Sequence, residues 1–205
     1  MSVVNQITAA LAVGIAQRGS ASFVVPGGSS PAFIFKALAN GEYSTDVDWA
    51  RVTITLVDDR QVHGNHNDSN RKLIRTQLLR GPVVAAKFLP LTIAGPVTKM
   101  DRPFDVMLLG IGLDGHFASL FPSMVGDAAM NVDTAPAIIQ TGPEGDPLCP
   151  RISMNLPMIL QSRLVFLLVK GAAKQEILRA AQTDHLLPVH HLITQTVKSV
   201  QIVTQ

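Results

Sequence analysis

The chain has 205 residues, enough for one domain of generous size or two small ones with a buried core. Hydrophobic residues make up 47% and charged residues 16%, a composition that is typical of a globular protein and excludes a disordered one. The net charge is +2 without a run of like charges, which argues against a nucleic-acid partner but allows a local site for an anion.

The sequence gives no sign of a membrane or a secretory route. No apolar run approaches the roughly 18 residues that a membrane span requires, and the first 20 residues lack the basic start of a signal peptide. A single cysteine, Cys149, excludes an internal disulfide. We therefore expect a cytoplasmic protein without a membrane partner.

The predicted elements alternate between helix and strand. Val4, Ile7, Leu11 and Ile15 recur at helical spacing and predict an N-terminal amphipathic helix. Further helices are predicted over 32–40, 70–79 and 171–181, and apolar strands over 21–25, 51–57, 103–109, 163–169 and 199–204. This order predicts an α/β fold: one domain over residues 1–205, with a mainly parallel Rossmann-like sheet and helices on both faces. The stretch 123–150, rich in Gly, Pro and Asp, is predicted to be a long surface loop.

Three polar, glycine-bearing loops follow predicted strands, at 26–31, 58–70 and 110–116. Loops at the carboxyl ends of parallel strands build the binding sites of such sheets. The sequence therefore predicts that these three loops meet at one edge.

The first loop reads PGGSSP and contains Gly27, Gly28, Ser29 and Ser30. Bare glycine backbone, two hydroxyls and a following helix start favour an anion site, although an ordinary strand-to-helix turn fits equally well. Pro31 stands where a hydrolase nucleophile elbow requires its final glycine, so that motif is excluded.

The third loop, LLGIGLDGHFASLFP, spells a dinucleotide fingerprint with Gly110, Gly112 and Gly115. That fingerprint should open a full helix, whereas the short helix predicted from HFASLF stops at Pro122. The acidic residue expected about 20 positions later would be Asp133, in a stretch without strand character. A nucleotide site is thus disfavoured.

The same loop offers His116 as a general base. Imidazole titrates near neutral pH and can accept a proton from water, and Asp114 is placed to orient the ring or to favour its protonated form. The alternative is a structural histidine.

Three basic residues are candidates for binding an anion. Arg60 follows two carboxylates in Asp58-Asp59-Arg60, which form either a binding site or a surface ion pair. Arg151 and Lys174 are candidate phosphate ligands, with solvated surface positions as the alternative. His63, His66, His190 and His191 match no metal motif, so no metal site is predicted.

Taken together, these segments resemble the 6-phosphogluconolactonase family, within the wider glucosamine-6-phosphate isomerase/deaminase superfamily. The matching pieces stand in the family's order from about Phe23 to Leu178: PGGSSP, WARVTITLVDDRQV with DSN, FDVMLLGIGLDGHFASLFP, RISMN and VKGAAKQEIL. The run after His116 favours the lactonase branch, because related deaminases continue with Ala-Phe-Asn-Glu-Pro.

The resemblance implies hydrolysis of 6-phosphoglucono-1,5-lactone to 6-phosphogluconate, in the oxidative pentose phosphate pathway, without metal or organic cofactor. By family analogy His116 activates water while Asp58 and Arg60 line the sugar site. The residues implied to hold the substrate, mainly its phosphate, are Gly27, Gly28, Ser29, Ser30, Arg151 and Lys174. An amino-sugar-phosphate isomerase or deaminase and a non-catalytic sugar-phosphate-binding regulator remain as alternatives.

The chain departs from the family pattern at three places. Asp59 replaces a glutamate, which is expected to move a carboxylate, and Cys149 stands in a Pro-rich run that often carries a basic residue. The segment 80–103 is short for the helix that relatives have there.

Overall fold

A computed structural model of the chain describes residues 1–204. Its strands are β1 (Ala21–Val25), β2 (Val52–Leu56), β3 (Asp58–Arg60), β4 (Lys87–Leu89), β5 (Phe104–Gly110), β6 (Ile138–Glu144), β7 (Cys149–Met154), β8 (Ser162–Val169) and β9 (Val200–Thr204). Its α-helices are α1 (Val3–Arg18), α2 (Ala32–Asn40), α3 (Asn70–Gln77), α4 (Leu156–Leu160), α5 (Ala172–Ala180) and α6 (Pro188–Thr194).

Six strands form one sheet in the order β4-β2-β1-β5-β8-β9, and every neighbouring pair is parallel. All five residues of β1 and the first six of β5 are buried, as expected when helices cover both faces of a parallel sheet. The predicted α/β fold is confirmed. The predicted N-terminal helix is also present, with Ile7 and Leu11 fully buried against the sheet.

A second, antiparallel sheet in the order β3-β7-β6 shows that the loop prediction for 123–150 was wrong. This stretch contains β6 and the first two residues of β7. β3 begins one residue after β2, so Val57 alone separates the two sheets along the chain. The second sheet thereby extends from the carboxyl end of β2.

One other expectation about local structure was also wrong. Residues 116–121 form turns and not a short helix: Leu120 N donates to Phe117 O at 3.0 Å, and Ala118 has a positive φ of 50°. The short segment 80–103 supplies the edge strand β4 between two 3₁₀ turns, at Gly81–Ala85 and Pro96–Lys99. Within residues 1–204, no helix combines the length and apolar character that crossing a membrane needs.

Candidate active site

The three polar loops meet in a cleft of about 430 Å³ at the carboxyl ends of the parallel strands. Asp146 and Asn70, which the sequence did not single out, also line it. The predicted site residues that line the cleft are Gly27, Gly28, Ser29, Ser30, Asp58, Arg60, His116, Arg151 and Lys174. Asp114 is the one predicted site residue that does not line the cleft, because it lies against the His116 ring.

A tight turn places His116 at the end of β5. Gly112 N donates to His116 O at 2.8 Å, and Gly115 takes a φ of 80°, which favours glycine. A Cβ on Gly112 would lie 2.2 Å from His116 Nδ1 and 2.5 Å from Asp114 Oδ1. The glycine spacing that resembles a nucleotide fingerprint therefore makes room for the imidazole and its carboxylate partner.

Asp114 fixes the orientation of the His116 ring. Its Oδ1 lies 2.5 Å from His116 Nδ1 and also accepts from the His116 backbone N–H at 3.2 Å. Burial opposes ionisation of Asp114, but the hydrogen bond and the charge of His116 outweigh it and hold the pKa of this carboxyl below its usual value. Because Asp114 occupies Nδ1, and no residue from 1 to 204 binds Nε2, the latter is the ring nitrogen available to a ligand.

The two carboxylates before Arg60 are both bound by other residues. Asp58 Oδ2 accepts from Ser119 Oγ at 2.7 Å. Asp59 is fully buried, where its Oδ2 accepts from Arg71 Nε at 2.7 Å and its Oδ1 from the Asn70 N–H at 2.8 Å. The carboxylate of Asp59 thus anchors the first turn of α3 and lies outside the cleft.

Arg60 and Arg151 face each other as cross-strand partners of β3 and β7. Like charges directly opposite each other are destabilising in a sheet. The partners of Arg60 are neutral, Asn70 Oδ1 at 2.8 Å and Asp68 O at 3.0 Å, and its buried Nε has no partner among the residues that the structure describes. Among residues 1–204, neither arginine forms an ion pair with a carboxylate.

Burial, and then the nearby charge of Arg60, lower the pKa of the Arg151 guanidinium. Arg151 is 3% exposed, and in the described part of the chain its guanidinium donates only to the backbone carbonyls of Glu144, at 3.1 Å, and Pro147, at 3.0 Å. Two cations without carboxylate partners therefore stand on one side of the cleft. An anion between them would relieve their repulsion.

Lys174, in the first turn of α5, adds a third cation. Its Nζ lies 3.2 Å from Ser30 Oγ, and burial followed by the charge of Lys170 lowers the pKa of its ammonium group. The loop at 26–31 needs its two glycines. A Cβ on Gly27 would lie 1.9 Å from Asn70 Oδ1, and Gly28 has a φ of 76°, a backbone conformation that favours glycine.

The histidines outside the cleft have local roles. His63 Nδ1 and His66 Nδ1 each accept a backbone N–H two residues later. His190 and His191 each bind a backbone carbonyl, of Ala181 and His185. Within residues 1–204, no group of three or more His, Cys, Asp or Glu side chains is arranged as a metal site.

Three further residues near the cleft were not predicted from the sequence: Asn70, Ser119 and Phe121. Asn70 joins the glycine loop to Arg60, Ser119 binds Asp58, and the Phe121 ring lies 4.8 Å from that of His116. The only local signal was their position in the DSN and SLFP stretches, because their contacts are made across the fold.

The family model for glucosamine-6-phosphate isomerases/6-phosphogluconolactonase matches residues 1–201. The chain belongs to this family. A 6-phosphogluconolactonase of Rhizobium meliloti is 31% identical, over 98% of this chain and 91% of that protein. One of Caulobacter vibrioides is 34% identical, over 96% and 88%.

Solved structures of the family share the fold. The crystal structure of a 6-phosphogluconolactonase from Shewanella baltica matches with a TM-score of 0.85 and 31% identity, over 98% of this chain and 91% of that one. A monomeric glucosamine-6-phosphate deaminase matches with a TM-score of 0.67 at 14% identity, a likeness of fold alone.

Proposed function

We propose that this protein hydrolyses 6-phospho-D-glucono-1,5-lactone to 6-phospho-D-gluconate. The observation that carries the proposal is that one cleft holds both the His116 imidazole, oriented by Asp114, and three cations that form no ion pair with a carboxylate of residues 1–204. The named relatives and the SLFP run after the histidine support the lactonase branch of the family.

The phosphate of the substrate would occupy the cationic part of the cleft. Arg60 and Arg151 offer guanidinium donors, Lys174 offers an ammonium group beside Ser30, and the Gly27–Ser30 loop offers backbone N–H groups. A dianion there would neutralise charges that now repel each other. Asp58, held by Ser119, would face the sugar ring.

His116 would act on water. Nε2 accepts a proton as the water oxygen bonds to the lactone carbonyl carbon, which gives a tetrahedral oxyanion. The bond from that carbon to the ring oxygen then breaks, and the imidazolium returns the proton to the departing ring oxygen. The carboxylic acid that forms releases its proton to solvent.

The required rate enhancement needs no covalent nucleophile, because a lactone is already an activated ester. A positioned base contributes roughly 10²- to 10⁴-fold, and a cation or N–H near the carbonyl oxygen stabilises the oxyanion by about 3 to 4 kcal/mol. Fixing the phosphate holds the ring in line for attack. Asp114 stabilises the imidazolium that forms in between.

A pH-monitored assay tests the proposal, since each turnover releases one proton. We expect acid production from the freshly made lactone well above the spontaneous rate, and no ammonia from glucosamine 6-phosphate. Ammonia release without lactone hydrolysis would establish the deaminase alternative. Phosphate binding without either reaction would establish a sugar-phosphate-binding regulator.

A further inference from the structure

Phe121 lies just behind the cleft and is 1% exposed, so it has no direct route to a bound substrate. It ends the HFASLF run, immediately before the 3₁₀ turn that starts at Pro122. Its ring nevertheless contacts two of the side chains that line the cleft.

The first contact is with the imidazole. The ring centroids of Phe121 and His116 are 4.8 Å apart, and their planes are tilted by 38°. Asp114 binds only one edge of the imidazole, at Nδ1, which leaves rotation about that hydrogen bond unconstrained. The flat surface of Phe121 restricts the plane of the ring, so the direction of Nε2 is set by both neighbours together.

The second contact is with a cation. Arg151 Cζ lies 5.3 Å from the Phe121 centroid, within the range of a cation–π interaction. Within residues 1–204, the hydrogen bonds of this guanidinium go only to two carbonyls of the β6–β7 hairpin, so the aromatic ring adds a contact from outside that hairpin.

The Phe121 ring is itself fixed in place. A Cβ on Gly145 would lie 2.9 Å from Phe121 Cε1 and 2.8 Å from an Arg151 nitrogen, so the hairpin backbone closes directly on both groups. Upstream, Ser119 is bound through its N–H to Ser153 and through its hydroxyl to Asp58. The backbone on either side leaves the ring little freedom.

We infer that Phe121 is a positioning residue that sets the separation between the imidazole of His116 and the guanidinium of Arg151. The inference rests on the proposed function. In that function, one aromatic ring connects His116, which activates water, with Arg151, which holds the phosphate. A branched apolar side chain would fill part of the space, but it offers neither the flat surface nor the quadrupole.

The test compares Phe121→Leu with Phe104→Leu. Phe104 is equally buried but starts β5, at the end of the sheet opposite the cleft, so its variant controls for loss of core packing. For Phe121→Leu we expect KM for the lactone to rise roughly three- to tenfold with the loss of the cation–π contact. We expect kcat to fall about tenfold or more because the base is misplaced. Phe104→Leu should lower the melting temperature and leave kcat and KM within about twofold of wild type.

A Phe121→Leu variant with both constants near wild type, or a Phe104→Leu variant with the same losses, would overturn the inference. If Phe121→Leu does not fold, Phe121→Met, which fills the space with a flexible chain, takes its place. Measuring the affinity for inorganic phosphate distinguishes failure of this inference from failure of the proposed function. A wild-type protein that hydrolyses no lactone refutes the function, whereas phosphate affinity unchanged in Phe121→Leu refutes the link to Arg151 on its own.

Discussion

The charge on Lys174 depends on what occupies the cleft. Burial and Lys170 lower the pKa of its ammonium group from the usual 10.5, and a bound phosphate would favour the protonated form. In the proposed site, a protonated Lys174 attracts the phosphate and a neutral one does not. We therefore expect phosphate affinity to fall as pH rises through the alkaline range below 10.5. Titration calorimetry with inorganic phosphate measures this.

Lys174→Arg is the matched variant, because a guanidinium keeps its charge over that range. Its phosphate affinity should show a smaller decrease with pH than that of the wild type. Equal pH dependence in the two proteins would assign the titration to another group.

Ser119 gives a prediction about a buried hydrogen bond. Ser119→Ala leaves the Asp58 carboxylate, which is 5% exposed, without its hydroxyl donor, and this should cost about 1 to 3 kcal/mol of unfolding free energy. Ser123→Ala is the matched variant, because it removes an exposed hydrogen bond from the Ser123 hydroxyl to the Glu144 carboxylate. Its loss of unfolding free energy should stay under about 0.5 kcal/mol. Denaturant unfolding compares the two; equal costs would show that burial of Asp58 does not matter.

At the residue scale, most candidate residues named from the sequence lie in one cleft, but the residues that hold them in place were not predicted. His116 stands out because it follows Asp114 and Gly115 in a glycine-bearing loop at the end of a predicted strand. Ser119 does not, because its partner Asp58 is 61 positions away and no local pattern reports such a contact. The same holds for Asp59, whose role in α3 became visible only with Arg71 and Asn70 in place.

The turn after β5 is the element that positions His116 and Asp114, on which the proposed mechanism depends. Gly112→Ala would push a methyl group into the space of His116 and Asp114. Since a displacement of about 1 Å can cost about 10²-fold in rate, we expect kcat to fall by about that factor. Gly142→Ala is the control, since its added Cβ meets no atom within 4 Å. Steady-state kinetics on both variants measures the effect. A wild-type kcat in Gly112→Ala would contradict the role given to this turn.

The elements of the main sheet were predictable for two reasons. Its strands are nearly continuous apolar runs, as in β5 and β8, and the segments that connect the strands have apolar residues at helical spacing. The second sheet was not. β6 reads IIQTGPE and alternates between buried and exposed positions only weakly, with Gly and Pro inside the strand. Its pairing with β7 depends on the hairpin at Gly145, whose φ is 74°, so tertiary contacts override the local turn signals.

On the scale of the whole molecule, the two ends of the parallel sheet differ in what they bind. The carboxyl ends hold the cleft, whereas at the amino ends Asp105 accepts from the Ser22 N–H at 2.9 Å and pairs with Arg18 and, at 3.4 Å, with Arg163. The Asp105 carboxylate is 6% exposed and joins β1, β5 and α1. We assign it to stability and not to catalysis.

Asp105→Ala should therefore destabilise the fold without affecting the reaction. Loss of the buried acceptor leaves the Ser22 N–H unpaired, at a cost of about 1 to 3 kcal/mol. We expect a lower denaturation midpoint, with kcat and KM of the folded enzyme within about twofold of wild type. A large fall in kcat at a temperature where the variant is folded would show that the two ends of the sheet are coupled.

The most direct measurement is the lactone kcat of His116→Ala, read beside its affinity for inorganic phosphate. Removal of the proposed base should lower kcat by roughly 10²- to 10⁴-fold, while phosphate affinity stays near wild type because the three cations are untouched. His66→Ala, at an exposed histidine of the second polar loop, should change neither value. A His116→Ala protein that turns over lactone at the wild-type rate would contradict the account.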